Sequence, residues 1–174
     1  MADWNTAYNW MMDNEDAPRA CKQVADAPPG AFAISGVNSA SWPTEFAAIA
    51  AVPQGERGPL VQQFYENHFW DQWFAQVESD DVCKRVFDFA VNGGTGASVR
   101  CLQQAVNSLA GSGTDPIAED GGWGPKTVAA VNAADPEALT AAFKAKRLAH
   151  YQVIAEKNPS TQQYLDAWTA RAQK

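Results

Sequence analysis

The chain has 174 residues, 46% hydrophobic and 19% charged, with a net charge of -7. That length supports one core, or one domain with a small appendage. The acidic balance speaks against a nucleic-acid binder, which needs a basic face to neutralise phosphates, and no apolar run approaches the roughly 20 residues of a membrane helix.

The first stretch, Ala2 to Asp16, reads as an amphipathic helix. Trp4, Tyr8 and Met11 fall on one face at i, i+4 and i+7, and the next position on that face is Glu15. Pro18 biases Ala17 away from helical angles, so the helix should stop there. A carboxyl extending an apolar stripe is costly unless paired or protonated. Burial would favour its protonated form, as a general acid needs; the plainer alternative is a cap or a salt bridge to the next loop. Arg19 to Pro43 is irregular. Asp26-Ala27-Pro28-Pro29-Gly30 forbids a helix, and Ala31 to Ser35 can form one short strand or a turn pair. A loop this long inside a compact domain is usually functional.

Thr44 to Val52 reads as a short helix. Pro59 opens a longer one whose apolar face runs from Leu60 through Phe64 to Trp73. Ser79-Asp80-Asp81 is an N-cap signal for a helix that stops at Asn92-Gly93-Gly94, and on it Asp88 and Asn92 share a face at i, i+4. Ser98 to Leu109 is amphipathic and is broken by Gly111-Ser112-Gly113. Pro125 opens another helix. Asp135-Pro136 caps and starts a long one ending at Asn158-Pro159, and Ser160 starts the last. The periodicity is helical nearly throughout, so the expected class is all-α, with a short strand or turn pair within 26–42.

Few constellations carry chemistry. His68 and His150 are far apart and belong to no metal motif, so no metal or other cofactor is expected. Gly93-Gly94-Thr95-Gly96 and Gly124-Pro125-Lys126-Thr127 lack Walker spacing and read as turns. No serine sits in a nucleophile elbow. Cys21, Cys83 and Cys101 are odd in number and lie in apolar segments, so reduced, buried thiols are expected. The start lacks a basic-plus-apolar leader, which implies cytoplasmic synthesis without a signal peptide. Carboxylates remain. Glycoside hydrolysis needs a protonated acid beside the leaving oxygen, and help for the positively charged sugar. Glu15 is the candidate acid, with Asp26 or Asp88 as partner; an exposed helix residue is the plain reading of Asp88 and a turn former that of Asp26. Lys144, Lys146, Arg147 and His150 read as a solvated helix face, or as a site for peptide-stem carboxylates. The seven tryptophans exceed what a core of this size needs, and such rings suit sugar clefts as well as cores.

The order of these segments resembles the N-acetylmuramidases of glycoside hydrolase family 108, a lysozyme-like group that includes phage endolysins. Glu15 holds the place of the catalytic Glu at the end of the first helix. Asp26-Ala27-Pro28-Pro29-Gly30-Ala31, then Gly36-Val37, looks like the loop that follows, although Asp16-Ala17 replaces the usual Gly-Gly. Val61 to Trp73 is similar to the tyrosine-tryptophan helix. Phe87-Asp88-Phe89-Ala90-Val91-Asn92-Gly93-Gly94 is close to the Asp-Phe-Ala-Val-Asn-x-Gly segment. Leu102-Gln103-Gln104-Ala105 and Asp120 to Thr127 look like the peptidoglycan segment. The resemblance implies a lysozyme-like two-lobed helical fold, with a catalytic lobe over 1–94 and a peptidoglycan-domain lobe over 95–174. It implies cleavage of the β-1,4 bond after N-acetylmuramic acid. Glu15 would be the acid, Asp26 would orient water or stabilise the cation, and Ser35, Tyr65, Trp70, Asp88 and Asn92 would line the sugar subsites. The implied partner is the peptidoglycan glycan strand, met by a monomer in the wall or periplasm after release from the cytoplasm. A lytic transglycosylase and a non-catalytic wall binder are the alternatives.

Overall fold

The computed structural model describes residues 1–111 and 115–174. Asp3 opens the first helix by accepting from the Thr6 amide at 2.7 Å, and α1 runs Trp4–Glu15 with Tyr8, Met11 and Met12 buried. Next comes a three-stranded antiparallel sheet: β1 (Gln23–Asp26), β2 (Ala31–Ile34) and β3 (Val37–Asn38), in that order. Val24 pairs with Ala33, Asp26 with Ala31, and Ile34 with Val37. So the 26–42 region holds two strands and part of a third, more β structure than the single strand or turn pair expected. The prolines that forbid a helix sit in the β1–β2 turn, closed by Gly30 at φ +90°. The β2–β3 turn is Ser35-Gly36, with positive φ at both residues (47° and 82°), as a two-residue hairpin of the I′ kind demands.

Seven further helices follow: α2 (Pro43–Ala50), α3 (Gly58–Phe69), α4 (Gln72–Gln76), α5 (Asp80–Gly93), α6 (Thr95–Leu109), α7 (Pro125–Ala133) and α8 (Pro136–Lys157). A 3-10 turn over Pro159–Tyr164 then leads into α9 (Leu165–Gln173), so the last helix begins later than Ser160. The helix expected to reach Trp73 breaks at Trp70. Asp71 accepts from the Trp73 and Phe74 amides and starts a new helix there. Ser79 and Asp135 cap α5 and α8 through the Val82 and Ala138 amides. α6 ends at Leu109, ahead of the glycines. Of the expected break, Ser112 and Gly113 lie outside the described residues.

The core is one hydrophobic cluster running from Ala2 to Ala172. α5 is its axis. α1, α6 and α8 pack on it, and α3 touches it. Hence five successive residues, Val86 to Ala90, are buried, a pattern of a helix covered on every side. Phe87 and Phe89 have no exposed surface, a burial that contributes roughly 1.5–3 kcal/mol each. The same covering forces Asp88 inside. No helix among the described residues is long and apolar enough to cross a membrane. Cys21, Cys83 and Cys101 are buried and unpaired, and burial pushes the Cys101 thiol up to about 11.

Candidate active site

Glu15 stands at the last turn of α1, where the chain leaves the helix toward the sheet. Its side chain keeps 18% of its surface exposed. It opens on a cleft of about 290 Å³ lined by Glu15, Asp16, Pro18, Ala20, Lys22, Val24, Ser35 and Gly36. One wall is therefore the end of α1 and the loop after it; the other is β1 and the β2–β3 turn. A larger groove of about 460 Å³ between α6, α7 and α8 is lined mainly by alanines. Its one carboxylate among the described lining residues, Asp135, is spent as the cap of α8.

The surroundings of Glu15 differ from the greasy pocket expected of it. Arg171 Nη2 donates to Glu15 Oε1 at 2.6 Å. The same guanidinium grips both oxygens of Asp88, from Nε at 3.1 Å and from Nη2 at 2.8 Å. Arg147 Nη2 lies 2.9 Å from Asp88 Oδ2. Four charges thus alternate in sign, Glu15, Arg171, Asp88, Arg147. Taking each ion out of water costs several kcal/mol, and alternation offsets that cost where an isolated ion could not. Burial alone would weaken the charge on Arg171. Asp88 and Glu15 outweigh it and hold the proton more firmly than usual.

Glu15 Oε2 is turned the other way, toward Gly36. A Cβ at Gly36 would lie 2.8 Å from it and 2.4 Å from the Tyr65 hydroxyl. Only glycine fits that approach, and only glycine adopts φ +82° without strain. Tyr65 donates to the Ser35 carbonyl at 2.8 Å and so fastens the turn from beneath. Its hydroxyl is held far above the ordinary tyrosine range by burial, and by the Glu15 charge nearby.

Asp16, which replaces a glycine of the resembled pattern, organises the loop. It accepts from the Ala20 and Cys21 amides and, at 2.7 Å, from the Ser35 hydroxyl. Burial raises its proton affinity, but these bonds outweigh it and leave the carboxyl below its usual range. Arg19, Cys21 and Ser35, all non-glycine residues with positive φ, surround it. Strained backbone of this sort persists where neighbours over-determine it, and it gathers at functional sites.

The other expected site residues are placed as follows. Ser35 lines the cleft. Asp26 lies on the same face of β1 as Val24, two residues beyond, and is not among the lining residues. Its oxygens accept from the Ala27 amide and the Asn38 side chain, the duties of a turn former. Asp88 has no exposed surface, and Tyr65 has 1%, so neither can touch a sugar: each supports the site from behind. Trp70 is half-buried, packed among Trp4, Phe74 and Phe87. Asn92 accepts from the Tyr151 hydroxyl beneath α8. None of these four residues presents an open sugar platform. The basic run on α8 divides: Arg147 is buried against Asp88, and Lys144 donates to the Gln173 carbonyl, so it is not one solvated face.

Arg171, Lys22 and Val24 were not singled out from sequence. Arg171 had a signal: it follows Trp168 by three residues, on the inward face of α9. Arg147 had one too, at i+4 from Phe143 and i−4 from Tyr151 on the buried row of α8.

Residues 97–173 match the family model described as Predicted Peptidoglycan domain. That match relates the chain to peptidoglycan. Among solved structures the chain is similar to the Structure of Brucella abortus SagA. The identity is 20%, 98% of this chain and 93% of that chain are covered, and the TM-score is 0.59. At that identity the likeness shows the fold: mostly α and lysozyme-like, as expected. No curated protein matches the chain.

Proposed function

We propose that the chain is a muramidase, hydrolysing the β-1,4 bond between N-acetylmuramic acid and N-acetylglucosamine, with Glu15 as the acid. The observation that carries this reading is the place of Glu15. It ends a helix with one buried face, one oxygen is anchored on Arg171, and the other faces a cleft walled by a β-hairpin. The peptidoglycan-domain match over 97–173 supplies the substrate class.

The glycan strand lies along the hairpin, against Val24, which is 53% exposed. Glu15, paired with Arg171 through Oε1, takes a proton from water on Oε2 and gives it to the glycosidic oxygen as the bond to C1 breaks. The sugar cation is met by water, whose hydroxyl joins C1 and whose proton returns to Glu15. Ser35 Oγ spends its hydrogen on Asp16 and keeps lone pairs with which to hold that water. Asp26, farther along the same strand face, contacts a longer strand. The enzyme works in the wall or periplasm as a monomer, after release from the cytoplasm, as an endolysin does.

One observation favours a second reading. Among the described residues the cleft offers no second free carboxylate, since Asp16 is committed to three donors. A lone acid suits a lytic transglycosylase, in which the sugar's own 6-hydroxyl closes an anhydro ring. Glu15→Gln tests the common core of both. The variant is expected to fold and to sediment with purified wall, with reducing-end and anhydro-end release both at background. Undiminished release by Glu15→Gln removes Glu15 as the acid. Sedimentation of the wild type without any release supports a binder instead.

A further inference from the structure

Arg171 belongs to the segment that matches the peptidoglycan domain, yet its guanidinium ends on Glu15, 156 residues earlier in the chain. It is pinned before it arrives there. Nε and Nη2 grip both oxygens of Asp88 at 2.8–3.1 Å. Asp88 is itself immobile: fully buried on the axial helix, it also accepts from Asn14 at 3.0 Å and pairs with Arg147. A planar fork fixed at one end presents the second hydrogen of Nη2 in one direction. That hydrogen goes to Glu15 Oε1, and Oε2 faces Gly36, where a Cβ would lie 2.8 Å from it.

We propose that Arg171 is the positioning residue of the acid, so that α9 completes the catalytic site. The proposal rests on the muramidase reading above. Arg171 holds Oε1 and so keeps Oε2 turned into the cleft. The groups facing Glu15 are Arg171 from α9, Tyr65 from α3, Asp16 beside it, and Lys22 on the cleft wall. Behind Arg171 stand Asp88 and Arg147, and Lys174 is tied to Asn14. Removing Arg171 leaves Oε1 without its donor and the carboxyl free to turn out of the cleft. The C-terminal segment is then part of the active centre, not a detached wall anchor.

The test compares full-length wild type, Arg171→Met and Arg171→Lys. Two readouts are taken: reducing-end release from purified peptidoglycan, resolved into kcat and KM, and the melting temperature. Arg171→Met should lose about a hundredfold in kcat at neutral pH with KM little changed. Arg171→Lys should restore only part of kcat, because an ammonium lacks the fork. A wild-type kcat in Arg171→Met overturns the positioning role, as does an activity loss that only follows the melting temperature. If Arg171→Met does not fold, Arg171→Lys decides: a fall in kcat at constant KM supports the role, and wild-type kinetics overturn it. An inactive wild type overturns the muramidase reading, and the catalytic role with it. An active wild type whose kcat ignores Arg171 overturns the positioning alone.

Discussion

Gly36 is where backbone geometry and the candidate acid meet. Its φ is +82°, and a Cβ there would lie 2.8 Å from Glu15 Oε2, which leaves no room for a side chain. Gly36→Ala is expected to cost roughly 1–3 kcal/mol by thermal or denaturant unfolding, and to turn Glu15 away from the cleft, lowering wall cleavage more than stability alone would. An alanine variant with wild-type stability and rate would refute the close approach. Asp88 holds the other side of the guanidinium that meets Glu15. Asp88→Ala strands two buried guanidinium groups and should destabilise by about 3–5 kcal/mol in urea unfolding. A loss below about 1 kcal/mol would mean that the four-charge chain carries little energy. At this scale Glu15 was legible because it extends a 3.6-residue apolar stripe. Arg171 and Arg147 showed only as inward helix positions, because a buried ion declares its role only beside its partner. Those partners lie 83 and 59 positions away for the two arginines at Asp88: Arg171 is separated from it by 83, and 147 − 88 gives 59 for Arg147.

Among the elements, local chemistry predicted starts better than lengths. Ser79 and Asp135 cap α5 and α8 as their sequence signals demand. The break at Trp70 was hidden because the apolar face continues through it, while the Asp71 cap competes with helix continuation. The sheet was half legible: Pro28-Pro29 and Gly30 announced a turn, but pairing of β1 with β2 depends on exposed, weakly patterned residues such as Val24 and Ala25. The start of α5 supports a pH prediction. Burial opposes the charge of Asp81, but Lys84 and Arg85 outweigh it and pull the carboxyl down to about 2. A lowered folded value means that the contribution is complete above the ordinary value of 3.8 and fades as pH falls toward 2. Asp81 is half exposed, so screening holds the effect to about 0.5 kcal/mol. Asp81→Asn should therefore melt lower at neutral pH, and the gap should close near the acid end. A gap independent of pH would remove the ion pairs as its cause.

For the whole molecule, one cluster from Ala2 to Ala172 and the Glu15–Arg171 contact join the first helix to the last. Unfolding followed by tryptophan fluorescence and by far-ultraviolet circular dichroism should give one coincident transition. Two separated transitions would show that the C-terminal segment folds and unfolds apart from the acid. The mostly helical class followed from periodicity. The cleft did not, because it is made by a hairpin meeting a helix end, and no window of sequence contains both. The central claim is that Glu15 protonates the bond after N-acetylmuramic acid, and mass spectrometry of the fragments released from purified peptidoglycan tests it most directly. Wild type should yield muropeptides ending in reducing N-acetylmuramic acid, each one water heavier than the anhydro form, and Glu15→Gln should yield none. The same fragments at the same rate from Glu15→Gln, or fragments cut only within the peptide stems, would contradict it.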